Sequence, residues 1–410
     1  MNSKQIFSMA LNLEEPWYIE DIRMSRSENG QASQIDIYLD FKRGSKFKDI
    51  NGTECSVHDT VQRQWQHLNF FEHKCFLHAR VPRIKDTEGK VKTINVPWAR
   101  KNSGFTLLYE GFAMLLIESE MPVKKAAKIL NVRDMRVWRI FGYWIRKSFQ
   151  ADKQDDIRVI GIDETSTKKG HKYVTVAVDM LKKRIIYATP GKDSDTIKNL
   201  QTHLLSKGCP KENIEQVSID MSPAFIKGVL ENFPKAEITF DKFHVSKLIN
   251  KAMDTVRKAE RKETEELKGH KYLFLKKHTK LSEQQKSDKY YYITEYPMLG
   301  EAYRLKVMFN DFWEMESLEE ASSYLIYWCD LAEESGIAPF IQLSGTIRGH
   351  WFGIINYIKS RITNGILEGI NSKIQLAKKR ARGFRNIDNF INMIYLIGAK
   401  LKFDYPLYLR

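Results

Sequence analysis

Three acidic residues that lie far apart in the chain stand where carboxylates could do chemistry. Asp163 directly follows residues 159–162, an unbroken apolar or small run that is typical of a strand buried on both faces. Asp220 ends a second strand-like segment, IEQVSID, and Glu368 lies within a helical pattern. A carboxylate in a buried strand is costly unless something compensates its charge. One such acid would indicate a structural Asp in a salt bridge, whereas three in matching contexts indicate a shared site.

The third acid is flanked by amides and then by basic residues. On a helix predicted over residues 364–379, the apolar stripe contains Ile366, Ile370, Ile374 and Ala377. The opposite, polar stripe contains Asn364, Glu368, Asn371 and Gln375. The basic cluster that follows contains Lys378, Lys379, Arg380, Arg382 and Arg385. A lone exposed Glu would ordinarily be solvated, but this setting suits a polar cleft that holds metal and phosphate together.

Three converging carboxylates call for a cation. Without one they would repel each other, and at least one would take up a proton. Mg²⁺ or Mn²⁺ prefers oxygen ligands of this kind. Two such ions can activate an attacking oxygen and stabilise a departing one in a phosphoryl transfer. We therefore expect two ions in one site, with Asp163 bridging both, Asp220 binding one and Glu368 binding the other.

The elements that must position these acids form a mixed α/β pattern. After a charged boundary at residues 151–156, a first strand reaches Asp163, and two more strands, YVTVAVDM and RIIYATP, follow in a meander. Two strand–helix units come next, and their strands end on Asp220 and Asp241. In the simplest closure the fourth strand pairs with the first through a right-handed crossover. The sequence therefore predicts an α/β domain with Asp163 and Asp220 side by side on neighbouring central strands.

The rest of this region divides into three parts. The first part of the catalytic domain is predicted over residues 151–250. Residues 251–340 have charged and aromatic helical patterns without strand patterns, which predicts an all-helical insertion. Residues 341–410 return to the α/β domain with the third acid and a basic C-terminal segment.

Two smaller regions precede this domain. Residues 1–105 are β-rich, and their mixed basic and aromatic segments fit either DNA contacts or an ordinary small core. Residues 106–150 predict a helix-turn-helix, with a first helix over Val123–Leu130 and a second from Arg133. Three residues lie along one side of the second helix, Arg133, Arg136 and Arg139. This side could enter the major groove of DNA, and the alternative is a helical hairpin with a solvated basic face.

Composition narrows the class of partner. The 410-residue chain is 42% hydrophobic and carries a formal charge of +15, so we expect two to four globular domains and a polyanionic partner. No apolar run approaches the ~20 residues that span a membrane, and no secretory signal pattern begins the chain. Four scattered cysteines, Cys55, Cys75, Cys209 and Cys329, indicate reduced thiols in a cytoplasmic protein.

Four segments together resemble the DDE-type transposases of bacterial insertion sequences, specifically the ISL3 group. They are GIDETSTKKGHKYVTVAVD, SIDMSPAF, TFDKFHVSKLIN and TNGILEGINSKIQLAKKRARGFRN, in the expected order. The resemblance implies an RNase H-like catalytic domain, in which Asp163, Asp220 and Glu368 match the DDE positions. It also implies cleavage at element ends and strand transfer in a multimeric complex. The expected partners are double-stranded DNA, namely the terminal inverted repeats of the element and the target DNA, and a second copy of the chain. The expected location is the bacterial cytoplasm, with the protein on the nucleoid when it is bound to DNA.

The resemblance also bears on the DNA contacts, and the sequence departs from the family pattern in one region. Asp241 and His244 fall in a DKFH motif near the site, where Asp241 could equally be a strand-end helix cap. The expected DNA-binding residues are Arg133, Arg136, Arg139, Lys168, Lys169, Lys242, His244, Lys378, Lys379, Arg380, Arg382 and Arg385. The group's cysteine-rich zinc element is degenerate here, and the four possible ligands have a different spacing, namely Cys55, His58, Cys75 and His78. We therefore expect no structural zinc.

Two alternatives to an active DNA transposase stay open. One is a catalytically silent, transposase-derived regulator that only binds DNA. The other is an RNase H-like nuclease or resolvase without strand transfer. Retention of all three acids favours an enzyme, because a regulator has no need to gather carboxylates against phosphate. Strand transfer, as opposed to hydrolysis, would separate the two enzymes.

Overall fold

The computed structural model describes residues 2–26, 32–49, 51–168, 172–263, 265–362 and 365–406. The chain divides into two compact units, one formed by Met1–Ser148 with Lys402–Arg410 and the other by Phe149–Leu401. The division falls close to the charged boundary predicted at residues 151–156. The region predicted to be β-rich and the predicted helix-turn-helix belong to the same compact unit.

The first unit begins with a helix and a six-stranded sheet. The elements are α1 (Ser3–Ala10), β1 (Trp17–Arg26), β2 (Ala32–Phe41), β3 (Lys46–Lys48), β4 (Glu54–Phe70), β5 (His73–Lys85) and β6 (Val91–Thr93). The strand order is β1-β2-β5-β4-β3, and β6 pairs with β5. The apolar residues Ile35, Ile37 and Leu39 of β2 are buried. The predicted β-rich character is confirmed.

The helical part of this unit is built around a buried carboxylate. Its elements are α2 (Leu107–Glu118), α3 (Val123–Ile129) and α4 (Asp134–Ala151). Glu110 is fully buried and accepts hydrogen bonds from Arg100 Nε at 2.9 Å, Ser103 Oγ at 2.6 Å and Trp144 Nε1 at 2.8 Å. These three donors tie the loop before α2 and the middle of α4 to α2. The predicted helix-turn-helix is confirmed to within about a residue.

The second unit contains a five-stranded sheet in the order β11-β10-β7-β8-β9. Its strands and the first helices are β7 (Val159–Lys168), β8 (Lys172–Asp179), β9 (Arg184–Pro190), α5 (Ser194–Ser206), β10 (Gln216–Ile219), α6 (Pro223–Asn232) and β11 (Glu237–Phe240). Strands β7, β8 and β9 form an antiparallel meander, while β10 runs parallel to β7 and β11 parallel to β10. The predicted pairing of the fourth strand with the first is confirmed. Asp193 caps α5, and its side chain accepts a hydrogen bond from the Thr196 backbone N–H.

From Lys242 to Gly398 the described residues contain helices and no strand. The helices are α7 (Lys242–Glu263), α8 (Lys271–Leu275), α9 (Glu283–Glu295), α10 (Pro297–Phe312), α11 (Leu318–Glu334), α12 (Ala338–Gly349), α13 (Trp351–Ser360), α14 (Gly365–Arg380) and α15 (Ile387–Gly398). Helix α13 covers the edge of β11, where Asn356 Nδ2 donates to the Ile238 carbonyl at 2.8 Å. None of the described helices combines the length and apolar character that crossing a membrane requires.

Candidate active site

Asp163 lies in the middle of β7, which continues to Lys168 and so extends beyond the predicted strand end at Asp163, and Asp220 directly follows the end of the neighbouring β10. Ser218 of β10 pairs with Gly161 of β7, and continuing this parallel register by two residues sets Asp220 level with Asp163. Strand β11 pairs with β10 in the same sense, which sets Asp241 level with Asp220. Residues that are level on neighbouring strands point to the same face of a sheet. The sheet therefore presents a row of three carboxylates along one edge.

Helix α14, which carries Glu368, lies along β7 through a ladder of polar side chains. The three hydrogen bonds, each 2.7 Å long, run from Asn371 Nδ2 to Asp163 Oδ2, from Gln375 Nε2 to Thr165 Oγ1 and from Lys378 Nζ to the Ser166 carbonyl oxygen. Asn371 and Gln375 of the predicted polar stripe thus face the strand, not an open cleft, whereas Glu368 is exposed and Asn364 lies outside the described residues. The buried residues of the helix are Leu367 and Ile374. The ladder fixes Glu368 one helical turn before the residue that binds Asp163.

A missing side chain on β7 lets this helix come close. Gly161 lies two residues before Asp163, and a Cβ built there would stand 2.7 Å from Leu367 Cδ1 and 2.5 Å from Met180 Sδ. Such distances are shorter than real packing contacts, so a larger residue would push Leu367 outward. Because Leu367 directly precedes Glu368, the glycine helps to set the position of the third acid.

The row of carboxylates is electrostatically strained. Burial raises the pKa of Asp163 above its ordinary value, and Asp220 and Asp241 raise it further. The backbone N–H of Glu164 and the imidazole of His244 act in the opposite direction on the same pKa. Burial also raises the pKa of Glu164. The negative charge gathered here therefore exceeds what one imidazole can balance.

Asp241 and His244 belong to the same cluster. His244 Nδ1 lies 3.2 Å from Asp241 Oδ2, and this carboxylate raises the pKa of the imidazole against the opposing effect of burial. Asp163 and Asp220 raise the same pKa further. Asp241 also accepts a hydrogen bond from the Phe243 backbone N–H at 3.1 Å, at the start of α7. Asp241 therefore acts as a strand-end helix cap and also lies against the His244 imidazole beside the site.

The groups around Asp163 include oxygen ligands of the kind that a divalent cation prefers, but the three predicted acids are not gathered around one point. Asn371 donates its Nδ2 to Asp163, and its buried Oδ1 has no hydrogen-bond partner among the described residues. Carboxylate and amide oxygens are the ligands that hard cations prefer. Glu368 is exposed, and within the described part of the chain no three His, Cys, Asp or Glu side chains are gathered closely enough to hold a metal ion. Asp163 and Asp220 are thus brought together, while Glu368 stays outside their group.

The predicted DNA-binding residues of the helix-turn-helix lie on its surface. Arg133, Arg136 and Arg139 are all exposed, whereas Val137 and Ile140 between them are buried. The guanidinium of Arg136 packs over the ring of Phe105 at 4.3 Å from its centroid. Arg136 therefore also packs against its own unit, while Arg133 and Arg139 have no ion pair among the described residues.

The basic residues of the second unit fall into two groups. Lys168, at the end of β7, and four residues of the α14 end and the following turn are exposed: Lys379, Arg380, Arg382 and Arg385. Lys378 is held by β7, and Lys242 is half-buried with Nζ 5.3 Å from the centroid of the Trp313 ring. Lys169 lies outside the described residues.

The four possible zinc ligands are not brought together. Cys55 pairs with Phe47 near the start of β4, whereas Cys75 lies opposite His67 near the end of the same strand. At about 3.3 Å per residue, these two cysteines are separated by roughly 40 Å along the strand. His78, moreover, is held by Asp36 at 2.7 Å. These four residues cannot form one tetrahedral site in this arrangement.

The class of the chain is shown by the family models, which identify it as a transposase with a helix-turn-helix domain. Residues 160–394 match the ISL3 family of DDE transposases, which is more than half of the chain. Residues 94–145 match the helix-turn-helix domain of transposase family ISL3, and residues 52–85 match the zinc-finger of the transposases IS204, IS1001, IS1096 and IS1165. The chain belongs to the ISL3 family of transposases, as its sequence segments indicated. Its helix-turn-helix is a DNA-binding domain.

Curated relatives agree with this assignment. The chain is 26% identical to the transposase for insertion sequence element IS1557 of Mycobacterium tuberculosis over 437 aligned positions, which cover 97% of this chain and 96% of the relative. It is also 26% identical to the transposase for IS1001 of Bordetella parapertussis, over 83% of this chain and 85% of the relative. A chain from a simian T-cell lymphotropic virus intasome structure is 15% identical, over 38% of this chain and 60% of that chain, with a TM-score of 0.18, too low to bear on the fold.

Sequence reasoning missed the partners of the α14 amides. The helical pattern places Asn371 and Gln375 on the polar stripe but does not indicate what they contact, and the apolar run before Asp163 gives Gly161 no role of its own. The useful signal was a match of periods, since residues four apart on a helix can meet residues two apart on a strand. Asn371 and Gln375 meet Asp163 and Thr165 in this way.

Proposed function

We propose that this chain is an active DNA transposase, which binds the ends of its insertion sequence, cleaves there and joins the ends to target DNA. Asp163, Asp220 and Glu368 are its catalytic carboxylates, carried by an RNase H-like domain made of β7–β11 and the helices around them. The observation that carries the proposal is the level placement of Asp163 and Asp220 on paired strands, with α14 bound to Asp163.

The energetic cost of the carboxylate row supports an enzyme over a regulator. Burial and two neighbouring carboxylates disfavour the charged form of Asp163. A protein that only bound DNA would gain nothing from gathering these acids, and their field would repel phosphate. Perturbed groups of this kind cluster at functional sites. A silent regulator is therefore the weaker hypothesis.

Two divalent ions, Mg²⁺ or Mn²⁺, would be held by Asp163, Asp220 and Glu368, with Asn371 Oδ1 as a further oxygen nearby. When bound, such ions activate the attacking oxygen and stabilise the leaving oxygen of a phosphoryl transfer. The chain's own groups orient the site. Asn371 and the Glu164 backbone N–H fix the two oxygens of Asp163, and the Ser222 backbone N–H fixes Asp220 at 2.9 Å. His244 lies beside Asp241, and this carboxylate raises the pKa of its imidazole.

The proposed partners follow from the same role. The helix-turn-helix would contact the terminal inverted repeats through the exposed Arg133 and Arg139. A homo-oligomer, in the simplest case a dimer on DNA, would hold two element ends at once. The proposed location is the bacterial cytoplasm, with the protein on the nucleoid while it is bound to DNA.

The test is a cleavage and joining assay with labelled duplexes that carry the element ends, run with and without Mg²⁺. We expect the wild type to cleave and join only with Mg²⁺. Asp163→Asn, Asp220→Asn and Glu368→Gln should each abolish cleavage and leave end binding intact. Glu212→Gln, an exposed acid in the 3-10 turn before β10, is the matched control and should cleave normally.

Each alternative has its own result. Hydrolysis without joining would replace the transposase with a nuclease or resolvase. Specific end binding by the wild type, with no cleavage under any metal condition, would leave a regulator. Normal cleavage by one of the three acid variants would remove that residue from the mechanism.

A further inference from the structure

The helical region between β11 and α14 contains a stretch with positive charge only. Residues 268–282, KGHKYLFLKKHTKLS, include five Lys and two His and no acidic residue. Two of these lysines are paired outside the stretch, Lys268 with Glu265 at 3.9 Å and Lys271 with Asp254 at 3.7 Å. The three that are exposed and have no acidic partner among the described residues are Lys276, Lys277 and Lys280.

Two further lysines, Lys289 and Lys306, bind residues of this stretch through groups other than carboxylates. Lys289 is buried, and its Nζ lies 2.7 Å from His278 Nδ1 and 2.8 Å from the Tyr303 hydroxyl. Lys306 Nζ donates to the carbonyl of Phe274. Burial lowers the pKa of Lys306 to about 8, and Lys289 lowers it further. Cations buried without a carboxylate would be stabilised by an anion bound nearby.

The stretch reaches the carboxylate row through Lys242, which directly follows Asp241. Burial lowers the pKa of Lys242, and the charges of Lys277 and Arg361 lower it further, so both charges lie close to its ammonium. Glu314, 4.0 Å from Lys242 Nζ, opposes them. The positive charges of Lys277 and Arg361 therefore act on Lys242, the residue next to Asp241 at the edge of the proposed active site.

We propose that Lys276, Lys277 and Lys280, together with Lys242, bind the sugar-phosphate backbone of the DNA beside the bond that is cut. The inference rests on the proposed function and adds a third DNA-binding surface to the helix-turn-helix and the α14 cluster. Lysine is a flexible point charge that suits sequence-independent phosphate contacts. Continuity with the carboxylate row favours DNA over another protein as the occupant, because the substrate phosphates must approach that row.

The experiment replaces the three exposed lysines together, as Lys276→Gln, Lys277→Gln and Lys280→Gln, in the full-length chain. Binding of a labelled duplex that carries one element end, and of an unrelated duplex of equal length, is measured across a salt series, and cleavage is measured with Mg²⁺. Each lost phosphate contact reduces the slope of log affinity against log salt by about 0.9, so the expected reduction is up to about 2.7 for both duplexes. Cleavage at physiological salt should fall more than tenfold, since the scissile strand is held less firmly.

Two controls separate charge loss from damage to the fold. The matched variant replaces three exposed lysines at the opposite edge of the sheet or on α6, Lys211→Gln, Lys227→Gln and Lys235→Gln, and should leave the salt slope and cleavage unchanged. Replacing Lys276, Lys277 and Lys280 with Arg keeps the charge and should restore both measurements.

The outcomes also distinguish this inference from the proposed function. Absence of cleavage by the wild type would defeat the proposed function, while the binding series would still test the lysines. An active wild type with an unchanged salt slope in the Gln variant would overturn the inference. Loss of self-association by the Gln variant, with DNA binding intact, would identify the surface as a contact between copies of the chain.

Discussion

Replacing Gly161 with alanine tests whether α14 must lie as close to β7 as it does. The added methyl would meet Met180 Sδ at 2.5 Å and Leu367 Cδ1 at 2.7 Å. Both atoms are the ends of flexible side chains, so they can move. We therefore expect the Gly161→Ala variant to fold, with Leu367, and with it the following Glu368, displaced from the strand.

The magnitude follows from the two contacts. Overpacking of a well-packed core costs about 1–3 kcal/mol. For a unit of this size, ~1 kcal/mol lowers Tm by about 2–4 °C, so a fall of a few degrees is expected. Displacing a catalytic group by about 1 Å can reduce the rate ~100-fold. Cleavage of element ends should therefore fall by about two orders of magnitude, while end binding through the helix-turn-helix is retained.

A double-mutant cycle makes this test specific. Leu367→Ala alone removes a buried side chain and should cost about 2–5 kcal/mol. Combined with Gly161→Ala it should cost less than the sum, because the clash of the added methyl with Leu367 Cδ1 is then relieved and only the contact with Met180 Sδ remains. Gly228→Ala is the control, since its Cβ would meet Ile197 Cγ1 at 2.7 Å between α5 and α6, away from α14. Thermal unfolding and cleavage are measured on all four variants. Wild-type cleavage by Gly161→Ala, or an equal loss in the Gly228 control, would refute the reasoning.

Four further substitutions test individual charges and donors. Asp163→Asn should raise Tm at pH 7 by a few degrees, because burial raises the pKa of this carboxyl and its charged form destabilises the fold above that pKa. The gain in Tm should vanish as the pH falls to 3.8, the ordinary pKa of an Asp carboxyl. A lower Tm of the variant at pH 7 would contradict this reasoning. Glu110→Gln leaves Arg100 without its carboxylate and should cost about 3 kcal/mol in urea unfolding. Asn371→Ala should reduce cleavage strongly but cost only about 1 kcal/mol of stability, since one hydrogen bond to Asp163 is lost. Arg133→Gln should reduce the salt slope of end binding by about 0.9, and an unchanged slope would remove it from the DNA interface.

The sheet could be predicted because its determinants are local. The buried run before Asp163, the two strand–helix units and the handedness of crossovers leave few ways to pair the strands. The observed β10–β7 register then sets Asp220 level with Asp163, as expected. The helix-turn-helix was equally accessible, since buried Val137 and Ile140 alternate with exposed arginines at helical spacing.

The position of α14 against β7 could not be predicted, because it depends on contacts between residues about 200 positions apart in the sequence. A lone glycine in an apolar strand has many explanations, and nothing in the local pattern connects Gly161 with Leu367. The direction of the polar stripe was also open from sequence, because amides can face solvent, a cleft or a strand. Asn371 faces the strand because Asp163 accepts its hydrogen bond. Gln375, one helical turn further on, faces the strand because Thr165, two residues after Asp163, accepts its hydrogen bond.

This arrangement couples the assembly of the site to the charge of the first acid. Asp163 is buried at an energetic cost, and part of that cost is offset by the amide of Asn371 on the helix that also carries Glu368. The hydrogen bond is strongest when the carboxylate is ionised. Ionisation of Asp163 therefore strengthens the attachment of α14 to β7, and protonation weakens it. Helix α14 is thus held most firmly when Asp163 is ionised, which is the charge state that the proposed phosphoryl transfer requires.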